Sequence, residues 1–285
     1  MPTIYHQPKT FLPRVLIIAG SDSGGGAGIQ GDIKTVTCLG GYATTAITAL
    51  TAQNTTGVYG IHDVPEEFIA QQIKLVLSDI GADAIKTGML SKASVIEVVA
   101  DCLDSRLHWN DNKQIPLILD PVMFAKGGAA LLAVDALETL KKRLIPMAEI
   151  ITPNLPEAEF LAGLPIGSIK TVDDMRAAAE KILALGCNAV LLKGGHLDGK
   201  ILTDLLFTQN GEQIFTSERI NTKNTHGTGC TLASAIATGL AQKLPLVEAV
   251  ARARAYVRKA IETAPQIGIG NGALWHGHTV RDFVC

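Results

Sequence analysis

Two hydrophobic periods alternate along this chain, one of about two residues and one of about 3.6. Arg14 to Ala19 (RVLIIA) is a short apolar run that reads as a strand leading into a glycine-rich turn. A helical segment follows around Asp32 to Leu39, and Gly40-Gly41 stops it. Residues 43–52 (ATTAITALTA) are small, β-branched and apolar, as in a strand buried on both faces. Pro65 and Glu66 open a helix in which Phe68, Ile69, Ile73, Val76 and Leu77 share one stripe, ending near Gly81. The alternation then repeats: strand 82–88, helix 92–103, strand 115–122, helix 134–147, strand 149–153, and a short helix holding Glu157 and Glu159. Thr171 and Asp174 have capping-box spacing for a helix over 172–185. Strand 189–193 ends at Gly194-Gly195, and 201–208 and 212–220 pair around Asn210-Gly211. Two helices close the pattern, one opening at Gly227 and one over about 246–263.

Strands alternating with amphipathic helices predict an α/β fold of three layers, α/β/α, with a mostly parallel central sheet and helices on both faces. Ligands in such sheets sit beyond the carboxyl ends of the strands. Gly20, Gln53, Met89, Asp120, Asn154 and Lys193 all fall at those ends, which favours an enzyme over a scaffold. Residues 1–285 read as a single domain with an N-terminal arm (1–13) and a C-terminal tail (265–285). The Thr- and Gly-rich segment 54–62 is a lid candidate.

Composition narrows the classes further. Hydrophobic residues make up 47% of the chain, aromatics 5%, and the formal net charge is −2. That balance offers no pull toward nucleic acid or anionic membrane, and no stacking platform for bases. No stretch reaches the roughly 20 apolar residues of a membrane span, so the expected setting is cytoplasmic. Cys38, Cys102, Cys187, Cys230 and Cys285 form no C-x-x-C pair, which argues against zinc or a disulfide framework. The histidines show no metal-binding spacing, and His196 and His226 read as loop or wall residues.

Gly26-Ala27-Gly28-Ile29-Gln30-Gly31 matches G-x-G-x-x-G after a strand, but the acidic ribose partner expected some 20 residues on is missing. The turn is either a close helix–sheet approach or a place where a small substrate meets bare backbone, with Asp32 facing it. No G-x-x-x-x-G-K-[ST] exists, so any ATP is held without a P-loop. Residues 224–234 read NTHGTGCTLAS. Gly227, Thr228 and Gly229 leave several backbone N–H groups pointing outward at a helix start, an anion hole suited to a transferring phosphoryl group. Cys230 in the first turn is either a packing residue or a thiol with a depressed pKa that takes a substrate proton.

NTKNTHGTGC (221–230), ITPNLPEAE (151–159), LLKGGH (191–196), AGSDSGGGAGIQGDIKT (19–35) and TALTAQNT (48–55) together resemble bacterial hydroxymethylpyrimidine/phosphomethylpyrimidine kinases of the ribokinase-like superfamily. The likeness runs from about Val15 to about Ile261. Most sugar-kinase relatives carry aspartate where Cys230 stands, which points to a vitamin precursor. The resemblance implies Cys230 as base, with Gly227, Thr228 and Gly229 holding the transferred phosphoryl group. It implies Glu157 and Asp120 for Mg²⁺, with Asn154, Lys193, Lys223 and Thr225 toward ATP. For the substrate it implies Gln53, Gly20, Asp32, Met89 and Val122. The carboxamide of Gln53 complements an aminopyrimidine edge. Simpler roles stand beside these: a helix-start charge for Glu157, a solvated loop position for Lys193, a strand-end cap for Gln53. The implied reaction is ATP-dependent phosphorylation of the pyrimidine alcohol, then of its monophosphate. The implied assembly is a homodimer, and the rival reading is a cysteine-type pyridoxal kinase. The tail around Trp275, His276 and His278 is expected near the nucleotide.

Overall fold

The computed structural model describes residues 11–104, 115–124, 131–133, 135–195, 197 and 199–280. Its centre is one sheet of nine strands in the order β3-β2-β1-β4-β5-β6-β7-β8-β9. In chain order these are β1 (Arg14–Asp22), β2 (Tyr42–Asn54), β3 (Gly57–Asp63), β4 (Ala84–Thr87), β5 (Leu117–Leu119), β6 (Ile150–Ile151), β7 (Ala189–Lys193), β8 (Ile201–Thr208) and β9 (Gly211–Glu218). The six inner strands β2, β1, β4, β5, β6 and β7 pair parallel, while β3, β8 and β9 pair antiparallel at the two edges.

Helices α1 (Gly28–Cys38), α7 (Thr228–Ala241) and α8 (Leu246–Glu262) cover one face. Helices α2 (Glu66–Asp79), α3 (Ala93–Asp104), α4 (Ala136–Thr139), α5 (Leu155–Ala162) and α6 (Val172–Leu183) cover the other. The side-chain period of two splits the strands between the two cores. Leu16, Ile18, Ile85, Leu117, Leu119, Val190 and Leu192 pack with α2, α3, α5 and α6. Val15, Ile17, Ala84, Ile118, Ala189 and Leu191 pack with α1, α7 and α8. The predicted three layers are therefore the observed ones.

Some boundaries move. Helix α1 begins at Gly28 rather than near Asp32, which places Asp32 one turn inside the helix. Within the expected helix 134–147, residues 136–147 form a short α-helix followed by a π turn and a 3₁₀ turn, with Pro146 near the end. The proposed lid, 54–62, is mostly strand β3 hydrogen-bonded along β2 at the sheet edge. Asn154 and Thr171 each form a full capping box, with Glu157 and Asp174 as the N3 partners.

Candidate active site

Strand alternation brings charge to one place. Lys86, Asp120, Thr152 and Lys193 each continue the inner parity of Ala84, Ile118, Ile150 and Leu191, so they turn toward α1 and α7 as their strands end. There a cavity of about 1580 Å³ opens beyond the carboxyl ends of the strands. Its floor is the start of α7. Gly227 caps that helix at φ 83°, and a Cβ there would collide with the Gly26 carbonyl oxygen, so only glycine fits. The first-turn N–H groups of α7 have no partner within the helix. Beside Gly229 stand the Lys193 ammonium and the Asp120 carboxylate, whose Nζ and Oδ1 are 3.4 Å apart. Thr152 Oγ1 donates to the same Asp120 oxygen at 3.3 Å.

Cys230 lines this floor, half-buried. Its thiol is not depressed as a helix start alone implies. Burial pushes it up to about 12; Asp32 and Asp120 add to the rise, while Lys86 and the Gly28 N–H act against it. The resting side chain is a neutral thiol. Directly under it lies a charge pair that the sequence reading did not single out: Lys86, fully buried, donates to Asp32 Oδ2 at 2.8 Å, and Ser234 Oγ donates to Oδ1 at 2.7 Å. Against the large cost of burial, Asp32 first and Asp120 to a lesser degree hold the Lys86 ammonium well above its usual range. The signal was present, since AIKT is a both-face-buried strand interrupted by a charge. Asp32 is accordingly corrected: it is 0% exposed and braces Lys86 from below rather than facing the cavity.

On the wall under β6 and β7, Asn154 and Glu157 open to the cavity. Glu157 Oε2 accepts the Asn154 N–H at 2.8 Å, so the simple helix-start role is real. Burial pushes the Glu157 carboxyl up to about 7, Lys193 pulling it down and Asp120 pushing it further up. Two hard carboxylates near one ammonium suit Mg²⁺, which keeps several waters and takes one or two protein carboxylates beside substrate phosphates. Among the described residues no three His, Cys, Asp or Glu side chains converge as a full metal cage.

Gln53, Gly20, Met89 and Val122 line the cavity under β1, β2, β4 and β5. A Cβ on Gly20 would come within 2.6 Å of the Met89 methyl, which would have to swing aside. Thr225 lines the cavity as well. Lys223 does not: its side chain is exposed, and its carbonyl instead accepts the Thr225 N–H. Residues not anticipated take the other end, where Arg254 and Arg258 from α8 face β8 and β9 across the cavity. Arg254 pairs with Asp204 at 2.7 Å.

The glycine-rich turn after β1 spends its donors internally. The N–H groups of Gly24, Gly26 and Ala27 bond to the Asp22 carboxylate at 2.8–3.1 Å, leaving none of the three for a dinucleotide pyrophosphate. The tail lies by that turn. Asn271 N–H bonds to the Thr55 carbonyl, and the His226 N–H bonds to the Gly272 carbonyl. His276 is buried against Tyr256, with Nδ1 3.0 Å from the phenol oxygen. His196 and Cys285 lie outside the described residues. No helix among the described residues is long and apolar enough to cross a membrane.

The comparisons agree with this geometry. The thiamine biosynthesis bifunctional protein ThiED of Geobacter sulfurreducens is 52% identical over 271 residues, covering 94% of this chain and 54% of that protein, so the chain spans about half of it. A hydroxymethylpyrimidine/phosphomethylpyrimidine kinase of Salmonella typhimurium is 45% identical, over 92% of this chain and 97% of its own length. Among solved structures, the pyridoxal kinase from Staphylococcus aureus in complex with AMP-PCP and pyridoxal superposes with TM-score 0.85 at 34% identity, covering 95% of this chain and 96% of that one. The fold is the ribokinase-like one that the sequence motifs implied. Residues 22–275 match the phosphomethylpyrimidine kinase family, and with a full-length relative sharing almost half its residues, the chain belongs to that family.

Proposed function

We propose that this chain transfers the γ-phosphoryl group of ATP to 4-amino-5-hydroxymethyl-2-methylpyrimidine and then to the resulting monophosphate, serving thiamine biosynthesis. The observation that carries the reading is the placement of Cys230 and the start of α7 on the cavity floor, between Gln53 on one side and Lys193, Asn154 and Glu157 on the other. The first-turn N–H groups from Gly227 to Cys230 hold the non-bridging oxygens of the group in flight. Lys193 and Asn154 face the ATP phosphates, Thr225 lies beside them, and Arg254 and Arg258 stand at the outer end. Asp120 and Glu157 would hold Mg²⁺, which when bound neutralises phosphate charge.

Met89 and Val122 supply apolar walls for the pyrimidine ring, Gly20 lets it approach the backbone, and Gln53 pairs with its amino edge. Cys230, in its minor thiolate form, takes the hydroxymethyl proton as the new O–P bond forms and the bond from phosphorus to the leaving ADP oxygen breaks. In the second transfer the acceptor is already ionised and needs no such base. The higher identity to hydroxymethylpyrimidine kinases than to the pyridoxal kinase supports the pyrimidine over pyridoxal as the main substrate. A single domain over 1–285 and a cytoplasmic setting belong to the same proposal. So does a homodimer, which the exposed Tyr59 and Ile61 on the open β3 edge support.

A magnesium-ATP assay offering the pyrimidine alcohol and pyridoxal, with mono- and diphosphate products resolved, tests this reading. A pyrimidine diphosphate is expected. Pyridoxal monophosphate as the dominant product would overturn the substrate assignment.

A further inference from the structure

Behind Gln53 runs a chain of four side chains whose donors and acceptors do not match as they stand. Asp22, 3% exposed, accepts three backbone N–H groups from the glycine-rich turn, and His226 Nε2 lies 2.8 Å from its Oδ2. Burial alone would push the Asp22 carboxyl up, but the His226 contact and the backbone donors bring it below its usual range. An ionised carboxylate only accepts, so His226 Nε2 carries a proton in either charge state of the ring. That same Nε2 is 3.3 Å from the Gln53 amide nitrogen, which also only donates. Donor faces donor.

At the other end of the amide, Thr51 Oγ1 is 3.3 Å from Gln53 Oε1. The hydroxyl has one proton, committed to the Ser21 carbonyl at 2.8 Å. Acceptor therefore faces acceptor. A half-turn of the carboxamide exchanges its oxygen and nitrogen at almost no cost in shape: the Gln53 N–H then donates to the free lone pair of Thr51 Oγ1, and at the other end donor no longer opposes donor, the single Nε2 proton of His226 being shared between Asp22 and the Gln53 oxygen.

We infer that Gln53 works with its carbonyl oxygen toward His226 and its amide nitrogen toward Thr51, so that Asp22, His226 and Thr51 fix the direction in which an aminopyrimidine edge can pair. The exocyclic amine of the ring then lies on the His226 side and the ring nitrogen on the Thr51 side. The reverse placement opposes like groups at both positions. His226 and Thr51 are thus positioning residues for substrate choice. The inference rests on Gln53 being the residue that reads the pyrimidine.

The test compares kcat/KM for 4-amino-5-hydroxymethyl-2-methylpyrimidine with that for the analogue lacking the amine, in wild type and in His226→Leu, His226→Gln and Thr51→Val. Wild type is expected to favour the amine strongly. His226→Leu and Thr51→Val should each cut the preference on the order of 10- to 100-fold, the effect of one unmatched polar partner. His226→Gln, whose amide N–H reaches where Nε2–H stood, should restore most of it. The KM for ATP, little changed in each variant, confirms an intact fold. Thr51→Val and His226→Gln carry the test if His226→Leu fails to fold. A wild-type preference that both His226→Leu and Thr51→Val leave intact overturns this inference alone. Equal losses on both compounds assign His226 a structural role and also overturn it. Absence of any preference in wild type refutes the reading of Gln53, and this inference falls with it.

Discussion

Replacing Cys230 by alanine should separate the two phosphorylations. The thiol sits near 12, so at pH 8 about one molecule in ten thousand carries a thiolate, and that fraction rises about tenfold per pH unit. Reaching the ionised form costs about 5 kcal/mol at pH 8, at 1.36 kcal/mol per unit. A base this scarce still contributes if proton transfer accompanies O–P bond formation, and general-base groups typically supply about 10²- to 10⁴-fold. Cys230→Ala should then lower the first phosphorylation by about that factor, and the second, whose acceptor phosphate has a second pKa near 6, by less than about tenfold. The sign of the pH effect follows from the raised thiol. In wild type, log kcat/KM for the first step should climb with pH from 7.5 to 9 without a plateau. The slope should vanish in Cys230→Ala, and the second step should be nearly flat in both proteins. Steady-state assays with ion-exchange separation of mono- and diphosphate give both numbers. Equal losses in the two steps, or a flat wild-type profile for the first, would show that Cys230 positions the acceptor rather than accepting its proton.

Removing Lys86 alone (Lys86→Met) leaves Asp32 charged in a dry site and should cost about 3–5 kcal/mol in urea unfolding, with Lys86→Met/Asp32→Leu recovering most of it. Glu157, near 7, gains a proton as pH falls; the Mg²⁺ concentration for half-maximal rate should therefore rise between pH 8 and 6, and Glu157→Gln should flatten that rise. His276 is lowered to about 4, chiefly by burial, with Lys34 and His278 adding to the shift. The unfolded state binds the proton first, so this stability is complete above about pH 6.5 and is lost as pH falls toward 4. The loss is at most about 3 kcal/mol, and it should be absent from acid unfolding curves of His276→Leu. Gly227→Ala should abolish turnover while lowering thermal stability, because the cap needs both positive φ and no Cβ.

Periodicity made the fold legible because each strand end and helix start carries its own local chemistry. Thr171 and Asp174 form their box within one turn, and the 201–208 hairpin closes over Asn210-Gly211, so neither needs distant information. Gly227–Cys230 was legible for the same reason. The failures are all non-local. Asp32 was expected at the cavity because its helix appeared to begin four residues late, and one turn of error moves a side chain about 6 Å along the helix axis, from mouth to core. A depressed Cys230 thiol was one of the two readings because a helix start is visible in sequence, whereas the burial and the Asp32 and Asp120 carboxylates that raise it arrive from α1, the end of β5 and the packing between them. Segment 54–62 has lid-like composition, yet its backbone groups are satisfied by β2, which no residue count reveals.

Charge on the cavity floor explains why so many ionisable residues are tolerated there. Lys86 and Lys193 bring two positive charges, Asp32 and Asp120 two negative ones, and Glu157 hovers near half-protonation at neutral pH. Without substrate the set nearly cancels, which keeps the burial of four charges affordable. An arriving triphosphate unbalances it by several negative charges, more than Lys193 and the α7 donors can absorb in a dry site. In the proposed reading, deprotonated Glu157 with Asp120 would hold a divalent cation, and the carboxyl near half-protonation without substrate would become a ligand when the cation enters. Nucleotide and metal should accordingly bind as a pair. Isothermal titration with ATP should show a proton released near pH 7 when Mg²⁺ is present, and Glu157→Gln should remove most of that release. A release unchanged in Glu157→Gln would place the titrating group on another residue and refute this account of the floor.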